Sequence, residues 1–207
     1  MRIAFLSGGK DSYYAVYRYG GRVDLGLMLV LDFPRPSPHT VNLGKSIETL
    51  LLSGIPVLTV KLTKGREFAE TADVLRMLGA DTIIAGDVYI EGHLEYMEKL
   101  AREVGATLVE PLWGYDPAEL FFKELEDGVK FVVVGCLDVL AKWLGVELSL
   151  DNAKAFVDEL VKPGLDPLGK RGEYHTIVVN GPLHRYALTY RVVDVLSVGG
   201  YSIARLV

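Results

Sequence analysis

The chain has 207 residues, half of them hydrophobic and 24% charged. That is enough for one sizeable domain, or for a domain with a smaller second one, and it is not the composition of a disordered segment. A formal charge of −5 and a pI near 5.4 argue against a nucleic-acid partner, and the sole cysteine, Cys136, excludes an internal disulfide and any metal centre built from several cysteines.

Met1 to Leu6 runs directly into a strand-like segment without a signal-peptide pattern, and no apolar run is long enough to span a membrane, so a cytoplasmic protein is expected. Glutamine is absent and asparagine occurs only at 42, 152 and 180. Scarcity of thermolabile residues points to a high-temperature source.

Arg2–Leu6 reads as a buried strand, followed by a helix over Ser12–Tyr19 and a second apolar strand over Leu25–Leu31. Asp32–His39 carries prolines at 34, 36 and 38 and reads as a loop. A helix over Val41–Leu52, with Gly54 as its stop, leads to a third strand at Pro56–Leu62. The pattern then repeats as a helix over Glu67–Leu78, a strand at Thr82–Ala85, a helix over His93–Val104 and a strand at Thr107–Val109. Such alternation predicts right-handed βαβ units, hence an α/β fold with a five-stranded parallel sheet and helices on both faces. Ligands of these sheets lie beyond the carboxyl ends of the strands.

The pattern changes near Pro111-Leu112-Trp113-Gly114. Helices at Pro117–Leu125 and Asp151–Val161 follow, with strands at Lys130–Val134, Tyr174–Val179, Tyr186–Ser197 and Tyr201–Leu206. The expected division is therefore a first domain over 1–114 and a smaller C-terminal α+β domain over 115–207.

Ser7-Gly8-Gly9-Lys10-Asp11-Ser12 lies between the first strand and the first helix. Gly8 and Gly9 permit a tight turn that brings backbone N–H groups to an anion, and the helix start adds the positive end of its dipole. Lys10 offers a mobile positive charge, Asp11 a ligand for Mg²⁺, and Ser7 and Ser12 hydroxyl donors to phosphate oxygens. The spacing is neither the Walker nor the dinucleotide-binding pattern.

This hexapeptide resembles the PP-loop of the N-type ATP pyrophosphatases, a HUP-like fold in which the loop grips the pyrophosphate of ATP while an acceptor attacks the α-phosphate. His39-Thr40, Gly86-Asp87, Pro111–Gly114, Leu137-Asp138 with Trp143-Leu144-Gly145, and Gly172-Glu173-Tyr174-His175-Thr176 followed by Gly181-Pro182-Leu183 occur in the order found in diphthine–ammonia ligases. The resemblance spans essentially the whole chain. It implies ATP and Mg²⁺ as cofactors, ammonia as co-substrate, elongation factor 2 carrying diphthine as acceptor, no membrane, and an assembly that a homodimer would satisfy. Two segments depart from the family pattern: Leu168-Gly169-Lys170 replaces Cys-Gly-Glu, and Tyr89-Ile90-Glu91-Gly92-His93 replaces a Tyr-Gln-Arg segment. Both lie where the acceptor would be expected.

The expected catalytic residues are Lys10, Asp11, Glu173 and His175, the last two sharing one face of a strand by alternation. Ser7, Gly8, Gly9, Lys10, Asp11, Ser12, His39, Gly86 and Asp87 are expected to bind the nucleotide, and Asp11 the metal. His93 and His184 read as surface or packing residues, Cys136 as a buried thiol and Trp113 as packing. Two other readings exist. A tRNA-modifying relative is disfavoured by the acidic balance, and its paired-cysteine thiolase form by the single cysteine. A nucleotide-binding protein without chemistry is disfavoured by having both Lys10 and Asp11.

Overall fold

The computed structural model describes residues 1–31 and 36–207. The chain divides into two compact units. One comprises Met1–Ser7, Asp11–Pro34 and Gly54–Tyr115, the other Gly8–Lys10, Arg35–Ser53 and Asp116–Val207.

In the first unit, β1 (Arg2–Phe5), β2 (Leu25–Val30), β3 (Val57–Lys61), β4 (Thr82–Ile84) and β5 (Thr107–Val109) form a five-stranded sheet in the order β3-β2-β1-β4-β5. All pairings are parallel, as the near-continuous apolar strand sequences require; Ile3 lies opposite Leu25 on one side and Ile83 on the other. The helices α1 (Lys10–Arg18), α4 (Glu67–Met77) and α5 (Glu91–Val104) belong to this α/β architecture. Ile3, Leu27 and Ile83 from the sheet pack with Leu75 of α4 and Leu100 of α5 in one buried cluster, each such side chain contributing about 1.5–3 kcal/mol through burial. Gly105 ends α5 with φ +73, the left-handed conformation expected of a helix-stopping glycine. Order reverses between β1 and β4, so the topological switch point lies where those two strands end.

The second unit contains α2 (Pro38–Val41), α3 (Leu43–Leu52), α6 (Pro117–Glu126), β6 (Lys130–Leu137), a 3₁₀ segment (Asp138–Trp143), β7 (Glu147–Leu148), α7 (Leu150–Val161), β8 (Tyr174–Asn180), β9 (Val192–Val198) and β10 (Tyr201–Leu206). Its sheet runs β7-β6-β10-β9, with β8 also paired to β6, and is antiparallel throughout. An aromatic cluster fills it: Phe121 of α6 stacks at 5.8 Å on Phe156 of α7, which meets Tyr174 of β8 edge-on at 5.0 Å and Trp143 at 5.1 Å. Asn42, buried between α2 and α3, donates to the carbonyls of Pro38 and Ala204 and accepts from the N–H of Leu206. One side chain thereby satisfies three backbone groups and ties both helices to β10.

Several expected boundaries shift. Residues 32–35 of the expected loop lie outside the described residues, whereas Pro38 and His39 open α2, since proline at a helix start lacks only a donor that would be unpaired there. The first helix begins at Lys10 rather than Ser12. β6 continues past Val134 to Leu137 because it is paired to β8 on one side and β10 on the other. The strand expected at Tyr186–Ser197 starts only at Val192. Before it, Leu188 bonds to Val179 and Arg191 to Val207 without a continuous ladder. Among the described residues no helix is long and apolar enough to cross a membrane.

Candidate active site

The expected site residues fall into two groups. In the first unit, Ser7 follows β1 and its N–H donates to Ser12 Oγ at 3.3 Å, with the two hydroxyl oxygens 3.4 Å apart. The hydroxyls thus meet, while Asp11 occupies the first turn of α1, where the helix dipole favours a carboxylate or an anion. Gly86, just past β4, is a glycine for reasons of space: a Cβ there would sit 3.0 Å from the Asp11 carbonyl oxygen and 3.1 Å from Ser12 Cα. The end of β4 therefore lies directly on the start of α1. Beside Ser7 and Ser12, a mostly apolar hollow of about 230 Å³ is lined by Phe5, Leu6, Leu27 and Leu29. It is smaller than the ~300–1,000 Å³ typical of drug-sized ligands.

Asp87 is held from both sides. Its N–H donates to Glu110 Oε2 at 3.0 Å, and its Oδ1 accepts from His93 Nδ1 at 3.1 Å. His93 lies in the first turn of α5. Its side chain is 59% exposed, against 21% for Asp87.

In the second unit, Gly8 has φ +82, and a Cβ there would come within 3.0 Å of Ser46 Cα and O, so both its conformation and its closeness to α3 demand glycine. Its carbonyl accepts from Val178 N–H at 2.9 Å, and the N–H of Lys10 donates to Thr176 Oγ1 at 3.2 Å. Gly8 to Lys10 are thereby laced to β8.

The side chain of Lys10 corrects the expectation of a mobile charge. Its Nζ stands 3.2 Å from Glu124 Oε2, with side-chain exposures of 2% and 0%, and 5.9 Å from the ring centroids of both Phe121 and Tyr174. A buried ammonium requires such a partner, and the faces of two aromatic rings add to its stabilisation.

His39 and His175 come together with ring centroids 5.5 Å apart, and Tyr201 follows at 6.2 Å from His175. Gly135 lies opposite His175 in the sheet. A Cβ on it would sit 2.4 Å from Pro38 and 2.9 Å from the Tyr201 hydroxyl, so only glycine fits beneath this cluster. Burial raises the pKa of Tyr201 and holds it as a neutral phenol; burial likewise pushes the Cys136 thiol up to about 12, in keeping with a buried, unreactive cysteine.

Glu173 immediately precedes β8, which begins at Tyr174, and its carbonyl accepts from the N–H of Leu137 at 3.0 Å. The buried Glu173 carboxylate accepts from the N–H groups of Asp166 at 3.3 Å and Arg171 at 2.9 Å. Asp166 in turn accepts from the N–H groups of Leu168 and Lys170. The divergent segment Leu168–Lys170 is thus a turn built on two carboxylates.

Glu124, Glu110 and Ser46 carry no signal in the sequence, and Thr176 enters it only as the end of the Gly172–Thr176 motif. His93 is exposed, as a surface residue should be, and it follows Asp87 closely at the predicted start of a helix. The others are brought in by tertiary pairing.

A family model described as "Diphthamide synthase N-terminal domain" matches residues 1–108. No curated protein matches the chain. Among solved structures, that of a predicted subunit of tRNA methyltransferase from Methanocaldococcus jannaschii is 16% identical, with a TM-score of 0.43 over 88% of this chain and 97% of that one.

Proposed function

The chain belongs to the diphthamide synthase N-terminal domain family, a PP-loop family of the ATP-pyrophosphatase type, and on that premise we propose that it is an ATP-dependent amide ligase. An acceptor carboxylate attacks the α-phosphorus of ATP, pyrophosphate leaves, and ammonia displaces AMP from the acyl-adenylate. The acceptor is diphthine on elongation factor 2. The observation that carries this reading is the Ser7–Ser12 loop, which leaves β1 at the switch point within the matched residues.

ATP is bound by the backbone of Gly8 and Gly9, by the Ser7 and Ser12 hydroxyls and by the start of α1, with the adenine in the apolar hollow beside Phe5 and Leu27. Gly86 keeps the end of β4 flat against α1. Among the described residues no group of three or more His, Cys, Asp or Glu side chains could hold a metal ion. A single carboxylate, Asp11, suits Mg²⁺, which typically takes one or two carboxylates and completes its shell with phosphate oxygens and water. Held there, the ion would supply charge neutralisation to the pyrophosphate leaving group. Lys10, paired with Glu124, acts by fixing residues 8–10 on β8.

The test is AMP formation by the pure protein with Mg-ATP, ammonium and diphthine-bearing elongation factor 2. AMP that appears only with all three present supports the ligase reading. ATP binding without AMP under these conditions defeats it.

A further inference from the structure

We propose that His93 is the general base of the ammonia half-reaction and that Asp87 is its positioning residue. This rests on the ligase reading above and adds a group that the family pattern does not supply, since His93 falls in the segment where this chain departs from it.

The argument begins with hydrogen-bond arithmetic. An ionised carboxylate only accepts, so the 3.1 Å contact between Asp87 Oδ1 and His93 Nδ1 requires Nδ1 to carry the proton. In the neutral ring, Nε2 is then the nitrogen with the free electron pair. The ring is 59% exposed, so that nitrogen is open to a reactant.

Asp87 is itself fixed. Glu110, following β5, accepts its backbone N–H, and Gly86 before it is pressed against the Asp11 carbonyl with no room for a side chain. A backbone pinned on both sides, a carboxylate on that backbone and an imidazole oriented by the carboxylate form a base–orienter arrangement. It lies in the connection after β4, one of the two strand ends that border the switch point. A surface ion pair would need none of this support.

The step balances as follows. The ammonia nitrogen attacks the acyl carbon of the adenylate and forms the C–N bond. The bond from that carbon to the phosphate oxygen breaks, and its electron pair leaves with AMP. The attacking nitrogen must shed one proton to become a neutral amide; His93 Nε2 takes it and returns it to solvent. Adenylation itself requires no proton transfer to this ring.

The test compares wild type with His93→Ala, His93→Gln, Asp87→Asn and Asp87→Glu in two assays: acceptor-dependent ATP–pyrophosphate exchange, and ammonium-dependent AMP release across pH. His93→Ala is expected to keep exchange within about twofold and to lose AMP release by ~10²–10⁴-fold. Added imidazole should restore part of that loss, and the acid limb of the pH profile should disappear. Asp87→Asn should give an intermediate loss of AMP release, which Asp87→Glu should partly recover. AMP release by His93→Ala within about twofold of wild type, with the same pH profile, overturns the proposal. A loss that imidazole fails to restore, accompanied by lost exchange, also overturns it and marks a structural tie. If wild type itself releases no AMP, the ligase reading fails and this inference falls with it.

Discussion

The connections that follow β1 and β4 leave neighbouring strands of one sheet, yet they use their ionisable side chains in opposite ways. After β1, Lys10 turns inward and pairs with Glu124 among aromatic rings. After β4, the backbone is pinned by Glu110 and packed against α1, while the side chains of Asp87 and His93 pair near solvent. Membership of a glycine-rich loop therefore does not keep a cation at the surface: tertiary pairing buries Lys10 and leaves His93 exposed.

The sharpest way to break this comparison is to remove one partner of the buried pair. Lys10→Ala or Glu124→Ala should destabilise the protein by about 3–5 kcal/mol, measured by urea unfolding, because an uncompensated charge remains buried. The double replacement Lys10→Met with Glu124→Leu should recover most of that stability. If the double variant also recovers AMP formation, the lysine acts only as architecture; a stable double variant without activity shows that its charge is needed on phosphate.

Next come the two glycines that bring the loops close to their supports. Gly8→Ala forces an alanine to φ +82 and against Ser46, at about 1–2 kcal/mol for the left-handed backbone alone. Gly86→Ala pushes a methyl group to 3.0 Å from the Asp11 carbonyl, at about 1–3 kcal/mol. Both should weaken Mg-ATP binding in calorimetry. A Gly86→Ala variant with wild-type affinity would show that the close approach of β4 to α1 is unimportant for the site.

The molecule carries an internal contrast to His93. His184 meets Thr49 Oγ1 at 2.9 Å and Ser53 Oγ at 3.3 Å, and burial lowers its pKa from 6.5 to about 4. The unfolded chain binds this proton below about pH 6.5, whereas the folded one binds it only near pH 4. Stability should therefore fall as the pH drops through that window. Discounted for the partial exposure of the ring, the loss should be about 1–2 kcal/mol. His184→Asn should flatten that part of the curve, and an unchanged slope would refute the assignment.

The smallest effect is expected where the chemistry is proposed. Asp87→Asn should change unfolding free energy by less than about 1 kcal/mol, since the pair it breaks is largely solvated. A loss as large as that of Glu124→Ala would make Asp87–His93 a structural clasp.

The parallel sheet was legible because each of its strands is a short apolar run and each helix between them carries its own stop, as at Gly105. The Ser7–Ser12 connection between β1 and α1 was legible because its paired glycines interrupt an apolar strand just before a helical pattern. The second unit was harder to read. Its proline-led helix α2 was hidden inside a proline-rich stretch, although Ser37 before Pro38 is a helix-start signal. β9 was drawn too long because β-branched residues continue on both sides of a real boundary. The partners that decide what Lys10 and Asp87 do, Glu124 and Glu110, lie far away in the chain, and no local pattern points from one to the other.

The cancelled charge of Lys10 also bears on how a polyanion finds this protein. With a net charge of −5 and Lys10 paired with Glu124 inside the fold, the loop's lysine adds little long-range attraction for an approaching triphosphate. Capture then rests on amide dipoles and hydroxyls that act only on contact. Such an encounter does not gain speed at low ionic strength, where screening lengthens from about 8 Å to about 30 Å. A nucleotide carrying its own Mg²⁺ arrives with part of its charge neutralised, and is the form that an acidic surface repels least.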